Sequence, residues 1–178
     1  MTLHSDAARV LTGWQPPDAD QALLRDRFVD HLAQHPDGLS RDCFPAHITA
    51  SALVLSSDRV EVLLTLHAKA GRWFQFGGHT EPTDPTLLAA AQREAAEESG
   101  LDDLRWLPDP VHLDAHEVGF CHSDGPVDHL DVRYVAFAPR GATPRRSSES
   151  EQVRWWPVDA LPTDEPSIAE LVALSLRA

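Results

Sequence analysis

Arg93-Glu94-Ala95-Ala96-Glu97-Glu98-Ser99-Gly100-Leu101 concentrates three carboxylates and one guanidinium in a short stretch whose residue types favour a helix. At about 100° per residue, Glu94, Glu97 and Glu98 share roughly a quarter to a third of the helix circumference, because positions three and four apart meet on one stripe. Carboxylates so placed repel one another unless a cation sits among them. Hard divalent ions such as Mg²⁺ take oxygen ligands, commonly a few carboxylates completed by water and substrate phosphate, so the stripe is a candidate metal site. On its own the stripe also fits a solvated helix face on which Arg93 pairs with Glu97.

The upstream sequence decides between these readings. Trp73-Phe74-Gln75-Phe76-Gly77-Gly78-His79-Thr80-Glu81-Pro82-Thr83-Asp84-Pro85 is an apolar, strand-like run that ends at paired glycines, followed by a turn and a helix start. The pattern places Asp84 at the N-cap and Pro85 at the first helical position, where its missing N–H costs nothing. Leu87, Leu88, Ala91 and Ala95 give the helix an apolar side, and Gly100 reads as its stop.

Strand, glycine loop, acidic turn and Glu-rich helix in this order resemble the Nudix box, whose pattern is Gly, five residues, Glu, seven residues, Arg-Glu-apolar-x-Glu-Glu-x-Gly-apolar. Arg93, Glu94, Ala95, Glu97, Glu98, Gly100 and Leu101 fill the second half, and Gly78 takes the opening glycine, with His79, Glu81 and Pro82 following as in many members. The first half departs in three ways. One residue is extra before Arg93, Asp84 stands where the family has Glu, and Phe76 replaces the frequent proline ahead of the glycine pair. Trp155-Trp156-Pro157-Val158-Asp159-Ala160-Leu161-Pro162 also resembles the family's later strand and helix entry, so the resemblance covers nearly the whole chain. It implies an α/β fold, a mixed β-sheet sandwiched between α-helices, with an amino-terminal helical extension.

The remaining sequence agrees with one domain spanning residues 1–178, in which residues 1–45 form the extension and 78–101 the box. A chain of 178 residues can bury one good core. Cys43 and Cys121 have no paired spacing, which gives neither a disulfide framework nor a zinc motif and suits a reducing cytoplasm; Cys43 and His47 read as incidental. Met1 to Val10 has no signal-peptide pattern, and no stretch approaches the length of a membrane span. The 28 acidic and 15 basic residues give a net charge of −13, which disfavours long nucleic acids as partners. A small phosphorylated substrate remains compatible, since a bound divalent ion inverts the local potential.

Leu24, Phe28, His31 and Leu32 stand at helical spacing within Asp20 to His35, and Pro36-Asp37-Gly38 ends that helix. Residues 1–45 can pack on the fold, cover the site or support dimerisation, and this ordinary amphipathic stripe favours plain packing. Ser51 to Leu55 and Val60 to Leu66 are β-prone and joined by a hairpin-like Ser56-Ser57-Asp58-Arg59. Val111 to Val118 and Leu130 to Ala138 alternate and flank a loop over Gly119 to His129, which suggests an antiparallel pair. Arg140 to Glu151 reads as a loop, Val153 to Trp156 as a short strand, and Pro166 to Leu176 as a closing helix.

The resemblance implies an enzyme, a Mg²⁺- or Mn²⁺-dependent pyrophosphohydrolase that cleaves a phosphoanhydride bond in a nucleoside diphosphate linked to another moiety, and it allows a homodimer. Carried over residue by residue, Glu94, Glu97 and Glu98 hold the metal with the Gly77 carbonyl as an extra ligand, and Arg93 orients the acids. Glu94 or Glu98 can act on water, or a base can come from outside the box, where Glu149 and Glu151 are the local candidates. Gly78, Lys69 and Arg133 are the candidate substrate contacts. Lys69 fits an exposed turn equally well, and Asp131 and Arg133, on one strand face, can instead pair with each other. Glu81 can serve an outer-shell role or face solvent, while Trp73, Phe74 and Phe76 can stack on a base or belong to the core. His112, His116, His122 and His129 gather in and around one hairpin and read mostly as surface or loop histidines.

Two other functions fit the same resemblance. An isopentenyl-diphosphate isomerase binds a diphosphate and uses a cysteine and histidines, for which this chain offers only Cys43, Cys121 and His47 without that family's local context. A non-catalytic nucleotide sensor often loses box acids or gains a DNA-binding domain, whereas Glu94, Glu97 and Glu98 are all present here.

Overall fold

The computed structural model describes residues 1–148 and 150–178, apart from the side chain of Phe120; Glu149, one of the two loop acids named as candidate bases, lies outside the described residues. Two helices precede the first strand. α1 (Leu3–Gly13) starts at Thr2, whose hydroxyl accepts from the Ser5 N–H, and α2 (Ala19–Gln34) starts at Asp18, whose carboxylate accepts from the Gln21 N–H. α2 is anticipated in the sequence reading but α1 is not, although Leu3, Ala7 and Leu11 stand at helical spacing and Ala7 and Leu11 are fully buried. The rest of the chain runs β1 (Ala46–Leu55), β2 (Glu61–His67), β3 (Arg72–Phe74), β4 (Phe76–His79), α3 (Leu87–Ser99), β5 (Arg105–Trp106), β6 (His112–His122), β7 (Gly125–Phe137), β8 (Ser150–Pro157) and α4 (Pro166–Ser175).

β1 is the axis of an eight-stranded mixed sheet. Along one edge it runs parallel to β7, from Ala46↔Asp128 to Leu55↔Phe137. Its other edge is shared by two antiparallel partners, β4 over Thr49 to Ala52 and β2 at Val54 and Leu55. A strand paired on both edges and covered on both faces needs small or apolar side chains throughout, and Ile48 to Leu55 are all buried. Because successive side chains alternate, the even positions Ile48 and Ala50 meet α3 and, through Phe28, Leu32 and Leu11, the two amino-terminal helices. The odd positions Leu53 and Leu55 meet Leu171 and Val172 of α4. Helices therefore cover both faces of the sheet, as the sequence implies.

The extension is fastened by polar contacts as well as by packing. The buried amide of Gln21 donates to the Leu113 carbonyl at 2.9 Å and accepts from the Leu113 N–H at 2.7 Å, as a neighbouring strand would. Asp6 of α1, also buried, accepts from the Leu87 N–H at 3.0 Å, placing a carboxylate at the positive end of α3.

Two expectations need correction. α3 begins at Leu87 with Thr86, not Asp84, as its N-cap, since the Thr86 hydroxyl accepts from the Ala89 N–H. Asp84 cannot serve there because its carboxylate is already engaged within the preceding loop and by Arg93. The expected loop over Gly119 to His129 is mostly strand: β6 and β7 extend toward a tight turn at Ser123-Asp124, with a register shift between Val118 and His122. Gly100 does end α3, in the left-handed conformation at φ 65°. Among the described residues, no helix is long and apolar enough to cross a membrane.

Asp6→Ala and Gln21→Ala should each lower the unfolding free energy by about 1–3 kcal/mol, because each leaves buried backbone groups without a partner. Leu23→Ala, at a side chain 69% exposed on the same extension, should change it by less than about 0.5 kcal/mol. Urea denaturation of the three variants measures both.

Candidate active site

The glycine pair is dictated by crowding on both faces of β4. A Cβ on Gly77 would lie 2.3 Å from Ser51 Cβ and 2.7 Å from Ser51 Cα, and one on Gly78 would lie 2.8–2.9 Å from the Glu94 carboxylate. The backbone of β4 can therefore lie against the acids of α3. The Gly77 N–H donates to Glu98 Oε2 at 3.1 Å, which fixes that carboxylate against the strand. Glu98 is buried, the Glu94 side chain is 15% exposed and the Glu97 side chain 60% exposed. The predicted stripe thus runs from the sheet outward to the rim of a cleft.

Arg93 ties this stripe to the loop. Its Nε donates to Asp84 Oδ1 at 3.1 Å and its Nη2 to Asp84 Oδ2 at 3.0 Å, a two-pronged pair. Nη2 also donates to the His79 carbonyl at 2.9 Å, and Nη1 donates to Glu94 Oε1 at 2.9 Å and Glu97 Oε2 at 3.3 Å. Asp84 Oδ2 further accepts from the Glu81 N–H at 2.7 Å, so the same carboxylate holds the turn of its own loop and the guanidinium of Arg93. The bond to Asp84, followed by the hydrogen bond and charge of Glu94, raises the basicity of the guanidinium despite its partial burial.

The cleft beside these groups has a volume of about 960 Å³ and is lined by Asp37, Asp42, Glu81, Glu94, Glu97 and Glu98 against Arg41 and Arg93. Such an excess of carboxylate oxygen suits a hard divalent cation. The donor set and the room at Gly78, which any Cβ would fill, both fit one bound near Glu94 and Glu98.

The remaining candidates, the substrate contacts Lys69 and Arg133 and the candidate base Glu151, lie elsewhere. Lys69 is exposed in the β2–β3 turn and Glu151 is exposed on β8; neither lines the cleft. Arg133 is buried on β7, where Nε donates to Asp131 Oδ2 at 2.9 Å, Nη2 to Asp114 Oδ2 at 2.8 Å and Nη1 to the Ser167 carbonyl at 3.3 Å. Burial alone would raise the Asp131 carboxyl, but Arg133, His116 and the Ser51 hydroxyl outweigh it and hold the group below the usual carboxylate range. Of the aromatic residues, Phe76 is core, and Trp73 packs edge-on against Trp156 at 5.2 Å.

The histidines depart furthest from the sequence reading. His47, read as incidental, is fully buried on β1, and His129, read with the surface group, faces it from β7 with ring centroids 4.9 Å apart. His79 approaches both, and Cys121 Sγ lies 3.1 Å from His79 Nε2. Burial pushes the imidazole of His79 down to about 4 and that of His129 to about 3. His112 is also buried, against Arg133. Composition gave no signal for this gathering, because it depends on the pairings His47↔His129 and Thr49↔His79.

Asp84→Ala should lower stability by about 2–4 kcal/mol, since it leaves a mostly buried guanidinium without its two-pronged partner. Arg93→Lys should also be costly, by about 1–3 kcal/mol, because an ammonium cannot span Asp84, His79 and Glu94 together. Thermal or urea melts decide; wild-type stability in Asp84→Ala would mean that the pair does not hold the loop.

Comparison with known proteins gives one family. The NUDIX domain model matches residues 45–174. Among solved structures, the chain is similar to a NUDIX-family hydrolase from Clostridium perfringens, with 25% identity and a TM-score of 0.59 over 74% of this chain and 98% of that one. It has the same fold as the E. coli dihydroneopterin triphosphate pyrophosphohydrolase, with 15% identity and a TM-score of 0.60 over 74% and 96% of the two chains. The NUDIX domain of Shewanella oneidensis NrtR, solved with ADP ribose, also shares it at 18% identity and a TM-score of 0.56, over 83% and 96%. No curated protein matches the chain. With the family's domain model covering most of its length and the box acids gathered against the glycine pair, the chain belongs to the NUDIX hydrolase superfamily.

Proposed function

We propose that the chain hydrolyses a phosphoanhydride bond in a nucleoside diphosphate linked to a second moiety, with Mg²⁺ or Mn²⁺ held by Glu94, Glu97, Glu98 and the Gly77 carbonyl. The observation that carries this reading is the seating of the α3 acids over Gly77-Gly78, with Glu98 fixed by the Gly77 N–H and Glu94 by Arg93. When bound, the divalent ion neutralises charge on the diphosphate and makes water a better nucleophile.

The chain's own groups divide the remaining work. Glu98 is pre-positioned by the strand, so its carboxylate need not reorganise on binding. Glu94 and Glu97 are oriented by one guanidinium, which Asp84 in turn holds in place. Either Glu94 or Glu98 can accept a proton from the attacking water; Glu97, at the rim, is the carboxylate most accessible to an arriving ion. The acidic lining of the cleft favours a small phosphorylated ligand brought in with its cation over a polyanion. A small phosphoanhydride is in keeping with the dihydroneopterin triphosphate named for one protein of this fold, and a nucleoside diphosphate derivative with the ADP ribose bound by another.

Phosphate release, measured after a coupled phosphatase step that frees phosphate from the monophosphate products, across nucleoside diphosphate derivatives with Mg²⁺, Mn²⁺ or chelator, should be metal-dependent and abolished by chelation. Glu97→Gln should reduce kcat by at least about a hundredfold while leaving the circular dichroism and melting curve unchanged. Full turnover in that variant would refute the assignment.

A further inference from the structure

The geometry points to a second cation site, in which His47, His79, Cys121 and His129 bind a single tetrahedral transition-metal ion of the Zn²⁺ class. The four side chains come from β1, β4, β6 and β7, and one ligand atom of each lies within 4.8 Å of all the others. Cys121 Sγ is 3.1 Å from His79 Nε2, 3.3 Å from His129 Nε2 and 3.8 Å from His47 Nε2. With Zn–S near 2.3 Å and Zn–N near 2.0–2.1 Å, the sulfur-to-nitrogen edge of a tetrahedron is about 3.5 Å, and the three spacings bracket it. The imidazole rings form an almost regular triangle, with centroids 4.9, 5.0 and 5.1 Å apart, and all three present Nε2 to the same sulfur.

The orientation of His47 is set from behind. Its Nδ1 lies 3.1 Å from the Cys43 carbonyl, so Nδ1–H donates there and the Nε2 lone pair faces the cluster. A backbone carbonyl on the outer nitrogen is the usual support of a metal-bound histidine. Three imidazoles and a thiolate are borderline-soft donors, which select Zn²⁺ and its neighbours over Mg²⁺. Four protein ligands leave no open position, so this is a structural site that clamps four strands. Binding releases the Cys121 thiol proton to solvent. Cys121, His79 and His129 are only partly buried, which leaves a way in for the ion.

The site is distinct from the box acids. Gly78 and His79 are consecutive on β4 and point to opposite faces of the sheet, Gly78 toward Glu94 and His79 toward Cys121. The two are nevertheless joined, since the carbonyl of His79 is one of the groups held by Arg93.

The test uses the full chain, stripped of metal under reducing conditions and titrated with Co²⁺ and then Zn²⁺, without substrate. In wild type, tetrahedral d–d bands and a thiolate-to-metal charge-transfer band should saturate at one equivalent of Co²⁺, any ion on the box acids adding only weak octahedral absorption; both should be lost on Zn²⁺ addition, and the protein should melt at a higher temperature with Zn²⁺. Cys121→Ser should lose the charge-transfer band, and His129→Ala should lose stoichiometric Zn²⁺ binding. Glu97→Gln should keep one equivalent, and excess Mg²⁺ should not displace it. Absence of the charge-transfer band in wild type overturns the site even if the variants fail to fold; so does its persistence in Cys121→Ser, or loss of Zn²⁺ in Glu97→Gln. Because no step involves hydrolysis, this outcome is independent of whether the box acids turn over a nucleotide.

Discussion

The pairing of Arg93 with Asp84 is the constraint on which the cleft depends. One planar guanidinium reaches a loop carboxylate, the carbonyl of His79 and two helix acids, and no other side-chain type offers enough fixed donors to do so. The mutual repulsion of Glu94 and Glu97 is relieved by the same group that folds the loop. A charge pair of this kind adds little net stability, since desolvating both partners offsets most of the attraction, but its geometry specifies where the loop ends and where the acids point. The shift of the helix start to Thr86 follows. With Asp84 occupied by Arg93, the next competent cap after Pro85 is the threonine.

The amino-terminal extension contributes to the same arrangement in two ways, by lining the cleft with His4, Arg41 and Asp42 and by acting on α3. Asp6 supplies a negative group to the first turn of α3, and its effect is opposite in direction to that of the box acids, which crowd negative charge toward the other end of the helix. A helix ending in Glu97 and Glu98 is disfavoured by its own dipole. Asp6 at one end, Arg93 along the side and Gly100 at the stop compensate, and burial of Leu87, Ala90, Ala91 and Ala95 holds the helix to the sheet. The extension thereby has a physical role in the cleft without contributing a box residue.

How much of this could be read from the sequence depended on whether the relevant contacts were local. The box helix, its glycine stop, the hairpin strands and the closing helix follow from periodicity and punctuation within about a dozen residues. α1 carries a local signal, Leu3, Ala7 and Leu11 at four-residue spacing, that the sequence reading leaves unused; the partners that bury it, Tyr134 among them, lie far along the chain. The role of Asp84 could not be read because an acid before proline looks like a cap until its distant partner is known. The histidines are the clearest case. His47, His79, Cys121 and His129 have no ligand-like spacing; the parallel register of β1 with β7, the antiparallel register of β1 with β4 and the β6–β7 hairpin bring them together.

β4 shows how tightly these demands are linked. Within four residues, Phe76 enters the apolar core against Ala95, Gly77 admits close approach to Ser51, Gly78 leaves space for the Glu94 carboxylate, and His79 turns toward Cys121. A slip of one residue in register would exchange the two faces, burying the imidazole under α3 and aiming a glycine at the histidine cluster. The apolar anchor of Phe76 and the pairing with Thr49 to Ala52 oppose that slip. The same alternation sets Gly78 against the Glu94 carboxylate on one face and His79 against Cys121 on the other. With both proposed sites filled, the pleat of a single short strand would sort hard from borderline cations, and each face constrains the backbone that the other requires.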